Sequence, residues 1–275
     1  MTTTQIRLGD LSSGGASSAH RPPLGWAVHD SLAVTKRNLI SLTRQPQLIV
    51  FSTIQPVIFV LMFTYVFGGA IRVPGVDYVD YLMPGIFCQT VVFGAINTGI
   101  GLSDDLQKGL VERFRSLPMA RSAVLAGRTS ADLVRDVFVV LLMLIVGYAV
   151  GFRVQTNLLG LVAGIAVLLL FAFSMTWIFA VVGLKAPSPE TAQAMSFPIL
   201  APLVFASSAF VSTSTMPGWL QVFANHQPVT AAVNATRGLM LGGPTAGHVW
   251  ESLAWSVGIL VVFAPLAIRS YRKAA

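Results

Sequence analysis

Charge is scarce in this 275-residue chain: Asp, Glu, Lys and Arg make up 11% of it, while 54% is hydrophobic. A soluble domain carries nearer a quarter charged residues, so the composition excludes one and indicates an integral membrane protein. Cys88 is the one cysteine and sits in an apolar run, which excludes an intrachain disulfide. The first 25 residues are rich in Ser, Thr and Gly and lack the apolar core of a cleavable signal. No lysine follows a glycine, so there is no phosphate-binding P-loop, and ATP hydrolysis by this chain alone is not expected. His226 and His248 stand away from Cys or carboxylate neighbours at ligand spacing, so neither a metal site nor a catalytic residue is expected. Within the apolar runs, ionisable residues are nearly missing. Glu251 is the exception, at a helix start where the macrodipole favours a carboxylate. A proton-driven carrier normally holds carboxylates or histidines at membrane depth, so this scarcity argues against one.

What is present is a series of uncharged segments. Residues 47–67, 81–103, 137–151, 158–184, 191–211 and 249–268 read as six spans, the third extended backward by a helix beginning near Ser122 that carries Arg128, Asp132, Arg135 and Asp136 at three-to-four spacing. Residues 1–25 read as a disordered tail and residues 26–275 as one membrane domain. Between Trp26 and Arg44, Val28, Leu32, Leu39 and Leu42 share one helical face, the pattern of an interfacial helix ahead of Pro46. The net charge of +7 comes from residues flanking the spans, which points to topology and not to nucleic acid. With a cytoplasmic N-terminus, only Arg72, Arg153 and Arg237 of the 18 basic residues fall outside. The positive-inside rule therefore places both termini in the cytoplasm of a multi-pass cell-membrane protein. Residues 216–241 group Trp219, Leu220 and Phe223 at helical spacing and break at Pro228, as an amphipathic re-entrant segment dipping into the outer leaflet would.

The charged island at residues 104–121 joins spans two and three. Leu106, Leu110, Phe114 and Leu117 lie on one face of a short amphipathic helix that Pro118 stops, with Asp105, Lys108, Glu112, Arg113 and Arg115 on the rest. A solvated loop is the competing reading. Neutral polar residues at membrane depth are candidates for a solute path: Gln55, Gln89, Asn97, Thr98, Ser207 and Ser208. Hydrogen bonds between helices are their commoner use. Gly147 with Gly151, and Gly160 with Gly164, offer close-packing faces.

Glu112, Arg113, Phe114, Arg115, Ser116, Leu117 and Pro118, followed by Arg121, Gly127, Arg128 and Asp132, resemble the cytoplasmic segment after span two in the six-span permease subunits of type-2 ABC exporters. The similarity is to the daunorubicin and doxorubicin resistance branch. Arg44 with Pro46, and Met216 to Trp219 with Gln227, Pro228, Val229 and Arg237, are less specific matches. The resemblance implies an all-α integral membrane protein with six transmembrane helices, an N-terminal interfacial helix, a cytoplasmic coupling helix and an outer re-entrant segment. It implies a separate ABC ATPase subunit holding ATP and magnesium, a second permease copy or paralogue, and a hydrophobic drug, antibiotic or lipid-like solute. Glu112, Arg113 and Arg115 would face the ATPase, and Leu110, Phe114 and Leu117 would seat the helix. A membrane scaffold without a transport path, and a self-sufficient proton-coupled carrier, are the alternatives; an adjacent reading frame for an ATPase separates them from the first.

Overall fold

The structure, a computed structural model, describes residues 46–71, 73, 75–109 and 121–274. The expected tail, the interfacial helix and the centre of the island lie outside the described residues. Eight α-helices follow in order: α1 (Pro46–Leu61, continued by a π-helical turn Met62–Phe67), α2 (Tyr78–Gln107), α3 (Arg121–Val150), α4 (Leu158–Lys185), α5 (Pro189–Phe205), α6 (Gly218–Asn225), α7 (Pro228–Leu241) and α8 (Ala246–Ala274). No strand occurs among the described residues. Four helical stretches are long and apolar enough to cross a membrane: Tyr78–Gln107, Gly127–Val150, Leu158–Lys185 and Ala246–Lys273. α1 and α5 are shorter. The 17 residues of α5 reach about 26 Å, just under a hydrocarbon thickness of about 30 Å.

Local chemistry sets several ends. The Asn157 side chain accepts the Gly160 N–H at the start of α4, and Ser188 accepts Thr191 N–H at the start of α5, where Pro189 occupies the first helical position. Two boundaries differ from the sequence expectation. α2 runs through Asp104 and Gln107, so the first turn of the island belongs to it; Gly109, at φ 64°, then breaks the helix. Leu106 keeps this turn helical by packing beside Leu102 and Leu125. α5 stops at Phe205 and not at residue 211, because Pro198 and Pro202 remove backbone donors and the Gln227 amide takes up the carbonyls of Leu203 and Ala206, both at 2.8 Å. α3 begins at Arg121, in line with the expected backward extension.

α2 is the axis of the bundle and packs on α1, α3, α4, α5 and α7. Its Leu82, Met83, Ile86, Phe87, Val91 and Val92 join Val140 and Met143 of α3, Leu168, Phe171 and Met175 of α4, and Val229 and Val233 of α7 in the main core. A second cluster at the island end ties Leu102 and Leu125 to Trp177, Val181 and Leu184 of α4 and Ala267 and Tyr271 of α8. The outer surface is apolar, with Ile58, Phe138, Ile145, Phe197, Trp250 and Val261 exposed, as a lipid-facing surface requires. Within residues 216–241, α6 exposes Trp219, Val222 and Phe223, whereas α7 buries Val229 to Val233 and is an integral part of the bundle.

Helix association in lipid depends on close packing more than on the hydrophobic effect, so small residues decide where backbones meet. Gly160 faces the Leu239 carbonyl and Gly164 the Met240 side chain, while Gly147 admits Met83. Gly151 serves instead as a turn, at φ 113°. The tightest crossing was not singled out from sequence: a Cβ on Gly183 would lie 2.0 Å from the Gly99 carbonyl oxygen. Gly183→Ala should therefore separate α2 from α4 and cost about 1–3 kcal/mol. Gly258→Ala, with nothing within 4 Å, should be neutral or gain up to about 1 kcal/mol of helix propensity. Thermal unfolding of the two variants in detergent checks the contrast.

Candidate functional site

The island is held by the helices on either side of it. At its near edge, Lys108 donates to Asp104 Oδ2 (2.7 Å) in solvent, and this bond raises the lysine pKa above its ordinary value. One turn inward, Arg128 of α3 is paired with Asp105 of α2. Gly101 makes room for it, since a Cβ there would overlap the guanidinium. Deeper still, Thr98 donates to Asp132 Oδ2 (2.5 Å), and Arg135 bonds Asp132 Oδ1 (3.2 Å), Asp136 Oδ1 (3.1 Å) and the Gly94 carbonyl (2.9 Å). Asp132 and Asp136 are buried, the latter 2% exposed.

The span expected over residues 137–151 begins just after these charges, and the helix that extends it backward carries them buried against α2. Asp132, Arg135 and Asp136 belong to the continuous helix α3 and lie between it and α2. They were legible as a stripe at three-to-four spacing with Arg128, but Gly94, Thr98 and Gly101, which receive them, carry no charge to mark the partner.

The coupling candidates Leu110, Glu112, Arg113, Phe114, Arg115 and Leu117 lie outside the described residues. Of the path candidates, Gln55 and Asn97 are exposed, and Gln89 is buried with its Oε1 lacking a partner among the described residues. Thr98 is engaged by Asp132. Ser207 donates to the Val204 carbonyl (2.6 Å), and Ser208 donates to Asn234 Oδ1 (2.8 Å) and receives no solute-facing role from these bonds. The six are thus distributed along α1, α2 and the end of α5. A cleft of about 310 Å³ lined by Thr156, Asn157, Gly160, Gly238, Leu239, Gly242 and Thr245 contains none of them.

At the opposite end, the first turn of α2 is a junction. Arg237 of α7 donates to the Tyr81 carbonyl (3.0 and 3.1 Å), the Ser208 carbonyl (2.8 Å) and Asn234 Oδ1 (3.0 Å), with its guanidinium 3.7 Å from the centre of the Tyr81 ring. Tyr78 and Tyr81 donate to the carbonyls of Phe210 and Ser208, and Asp80 accepts from Arg153 N–H and the Gln155 amide. Gln227 and Arg237, noted in sequence as a motif, are the residues that bind α5, α7 and α2 together. His248 lies 4.0 Å from Glu251, so it does have a carboxylate neighbour, yet no group of three potential metal ligands occurs among the described residues.

An apolar helical bundle with a short fifth helix, a pair of helices after it of which the second is packed into the bundle, and a charged island between α2 and α3 is a polytopic membrane protein. Residues 30–241 match the ABC-2 type transporter family, and the chain belongs to it. It is 38% identical over 257 residues to the daunorubicin resistance ABC transporter permease protein DrrB1 of Streptomyces coeruleorubidus, covering 94% of this chain and 91% of that one. It is 29% identical over 276 residues to the probable doxorubicin resistance ABC transporter permease protein DrrC of Mycobacterium tuberculosis, covering 100% and 98%. The putative transport permease ycf38 of Cyanophora paradoxa is 24% identical over 214 residues, 76% of this chain and 73% of its own.

Removing one member of a buried ion network strands the others, at about 3–5 kcal/mol, whereas exposed pairs contribute little. Arg135→Leu should lower stability by about that amount, and Asp104→Asn should leave the unfolding midpoint unchanged. Detergent melts of purified protein read both.

Proposed function

We propose that this chain is the membrane permease subunit of an ATP-driven exporter that moves a hydrophobic antibiotic, drug or lipid-like solute out of the cell. The supporting observation is the similarity to the daunorubicin resistance permease over nearly the whole of both chains. The energy comes from a separate ABC ATPase, which holds ATP and magnesium. Two permease copies, or this chain and a paralogue, pair in the cell membrane. Each crosses six times: α1 and α5 complete the count begun by the four longer helices, and both termini are cytoplasmic. In this reading Glu112, Arg113 and Arg115 meet the ATPase, while Leu110, Phe114 and Leu117 seat the island against the bundle. The anchoring of Asp105 and Arg128 on either side of the island supports that role, because a docking segment transmits force only if its ends are held. Gln55, Gln89 and Asn97 are the path residues we favour; Thr98, Ser207 and Ser208 have internal partners.

Co-expression with the ATPase, co-purification and solute-stimulated ATP hydrolysis test the reading. Glu112→Lys reverses a charge at the proposed contact and should weaken ATPase binding about tenfold or more, equivalent to about 1.4 kcal/mol, with membrane abundance unchanged. Wild-type assembly and turnover in that variant would remove the island from the interface. For topology, single cysteines at Ser12 and Arg272 in a Cys88→Ala background should resist impermeant thiol reagents in intact cells, and one at Asn225 should react. Labelling at either terminus contradicts the cytoplasmic assignment.

A further inference from the structure

α2 and α3 meet in one unbroken antiparallel register. Met83 faces Gly147, Gly94 faces Arg135, Thr98 faces Asp132 and Gly101 faces Arg128, so that each advance along α2 is met by a return along α3 that agrees to within one residue. From Met83 to Gly101 this contact covers 18 residues, about 27 Å of helix. Two of the four levels are notches: glycines seven residues apart on α2 receive two arginines seven residues apart on α3. At the central notch the Arg135 guanidinium binds two carboxylates on its own helix and a backbone carbonyl of the other. Among the described residues, the ion pair that joins two helices is Arg128 of α3 with Asp105 of α2; Arg135 pairs with carboxylates of its own helix and reaches α2 through the Gly94 carbonyl, and Lys108 with Asp104 and His248 with Glu251 are local. The other crossings of α2, Gly99 on Gly183 and Gly85 on Ala209, are contacts of neutral backbone. Sliding α2 against α4 or α5 breaks van der Waals contact and one long hydrogen bond, from Ser103 to the Ala186 carbonyl at the end of α4 (3.3 Å), whereas sliding it against α3 pulls a buried guanidinium from its carbonyl and the buried Asp132 carboxylate from Thr98.

We propose that α2 and α3 act as one mechanical body, with Arg135 as the positioning residue that prevents them from sliding while displacement at the island is carried into the bundle. The proposal rests on the exporter reading, because it needs a partner that moves the island. The junction of Arg237, Tyr81 and Ser208 holds the opposite end of α2 and supplies the fixed point of the movement.

The test replaces the ionic pin with a removable covalent one. In the complex with the ATPase, in lipid nanodiscs, a Cys88→Ala, Asp132→Asn, Asp136→Asn background is given Gly94→Cys and Arg135→Cys; the added Cβ at position 94 points at the site the guanidinium leaves. Daunorubicin-stimulated ATP hydrolysis is measured before and after bridging with a short, membrane-permeant bifunctional thiol reagent. Before bridging, the ATPase stays bound and basal hydrolysis continues, but stimulation falls at least about tenfold; bridging restores at least half of it. Full stimulation without the bridge, or no recovery with it, overturns the proposal. Should that variant fail to assemble, Met83→Cys with Gly147→Cys, which keeps the ionic pin, decides: stimulation that survives bridging supports a single body, and stimulation lost on bridging refutes it. A wild-type complex that daunorubicin does not stimulate would instead bring down the drug-exporter reading, and this proposal with it.

Discussion

A guanidinium in a low-dielectric interior has to be surrounded by acceptors, and Arg135 obtains its acceptors from two helices at once. That requirement fixes the register of α2 against α3 and favours a glycine at position 94, where a Cβ would crowd Arg135 and Asp136 at 3.1 Å each. It also demands that α3 continue as helix from the island into the apolar run without a break. The rest of the bundle is laid around this pair. α4 crosses α2 where Gly99 and Gly183 let the backbones touch, and α5 and the chain after it wrap the other side, at Gly85.

The two ends of α2 differ in kind. At the island end the polar groups are ionic and lie between α2 and α3, above an apolar cluster that also takes in α4 and the last turns of α8. At the opposite end they are mostly hydrogen bonds to backbone carbonyls, with Arg237, Tyr78, Tyr81 and Asp80 drawing in the loops after α3 and after α5. The first arrangement joins two helices along their length, and the second ties many segments at one place. A permease driven from one side of the membrane needs both: a stiff element reaching inward from the driven surface, and a junction against which it moves.

Much of this was legible in the residues. Uncharged runs mark α2, α4 and α8 closely because a span must satisfy its backbone internally and so reads as one long apolar helix. The π-turn of α1 and the early end of α5 were not legible. Pro198 and Pro202 signal a weakened helix, but the stop depends on Gln227, which is 22 residues downstream of Phe205 and acts through its side chain. The buried charges are visible as a stripe, but their burial is not, since charge in a sequence reads as solvent unless its partner is seen. Here the partners are a threonine, a carbonyl and two glycines. The motif residues Gln227 and Arg237 drew notice by resemblance, and only the fold shows what they bind.

The account stands or falls on whether α2 and α3 stay in register as nucleotide binds to the partner. Spin labels at Lys108 and Val134 report the α2–α3 separation, and labels at Lys108 and Met195 report α2 against α5; electron-spin distance measurements in nanodiscs compare the nucleotide-free and ATP-bound complexes. The account predicts an unchanged distance for the first pair and a shift of several ångströms for the second. A shift in the first pair of the same size would show the helices sliding past one another and contradict it.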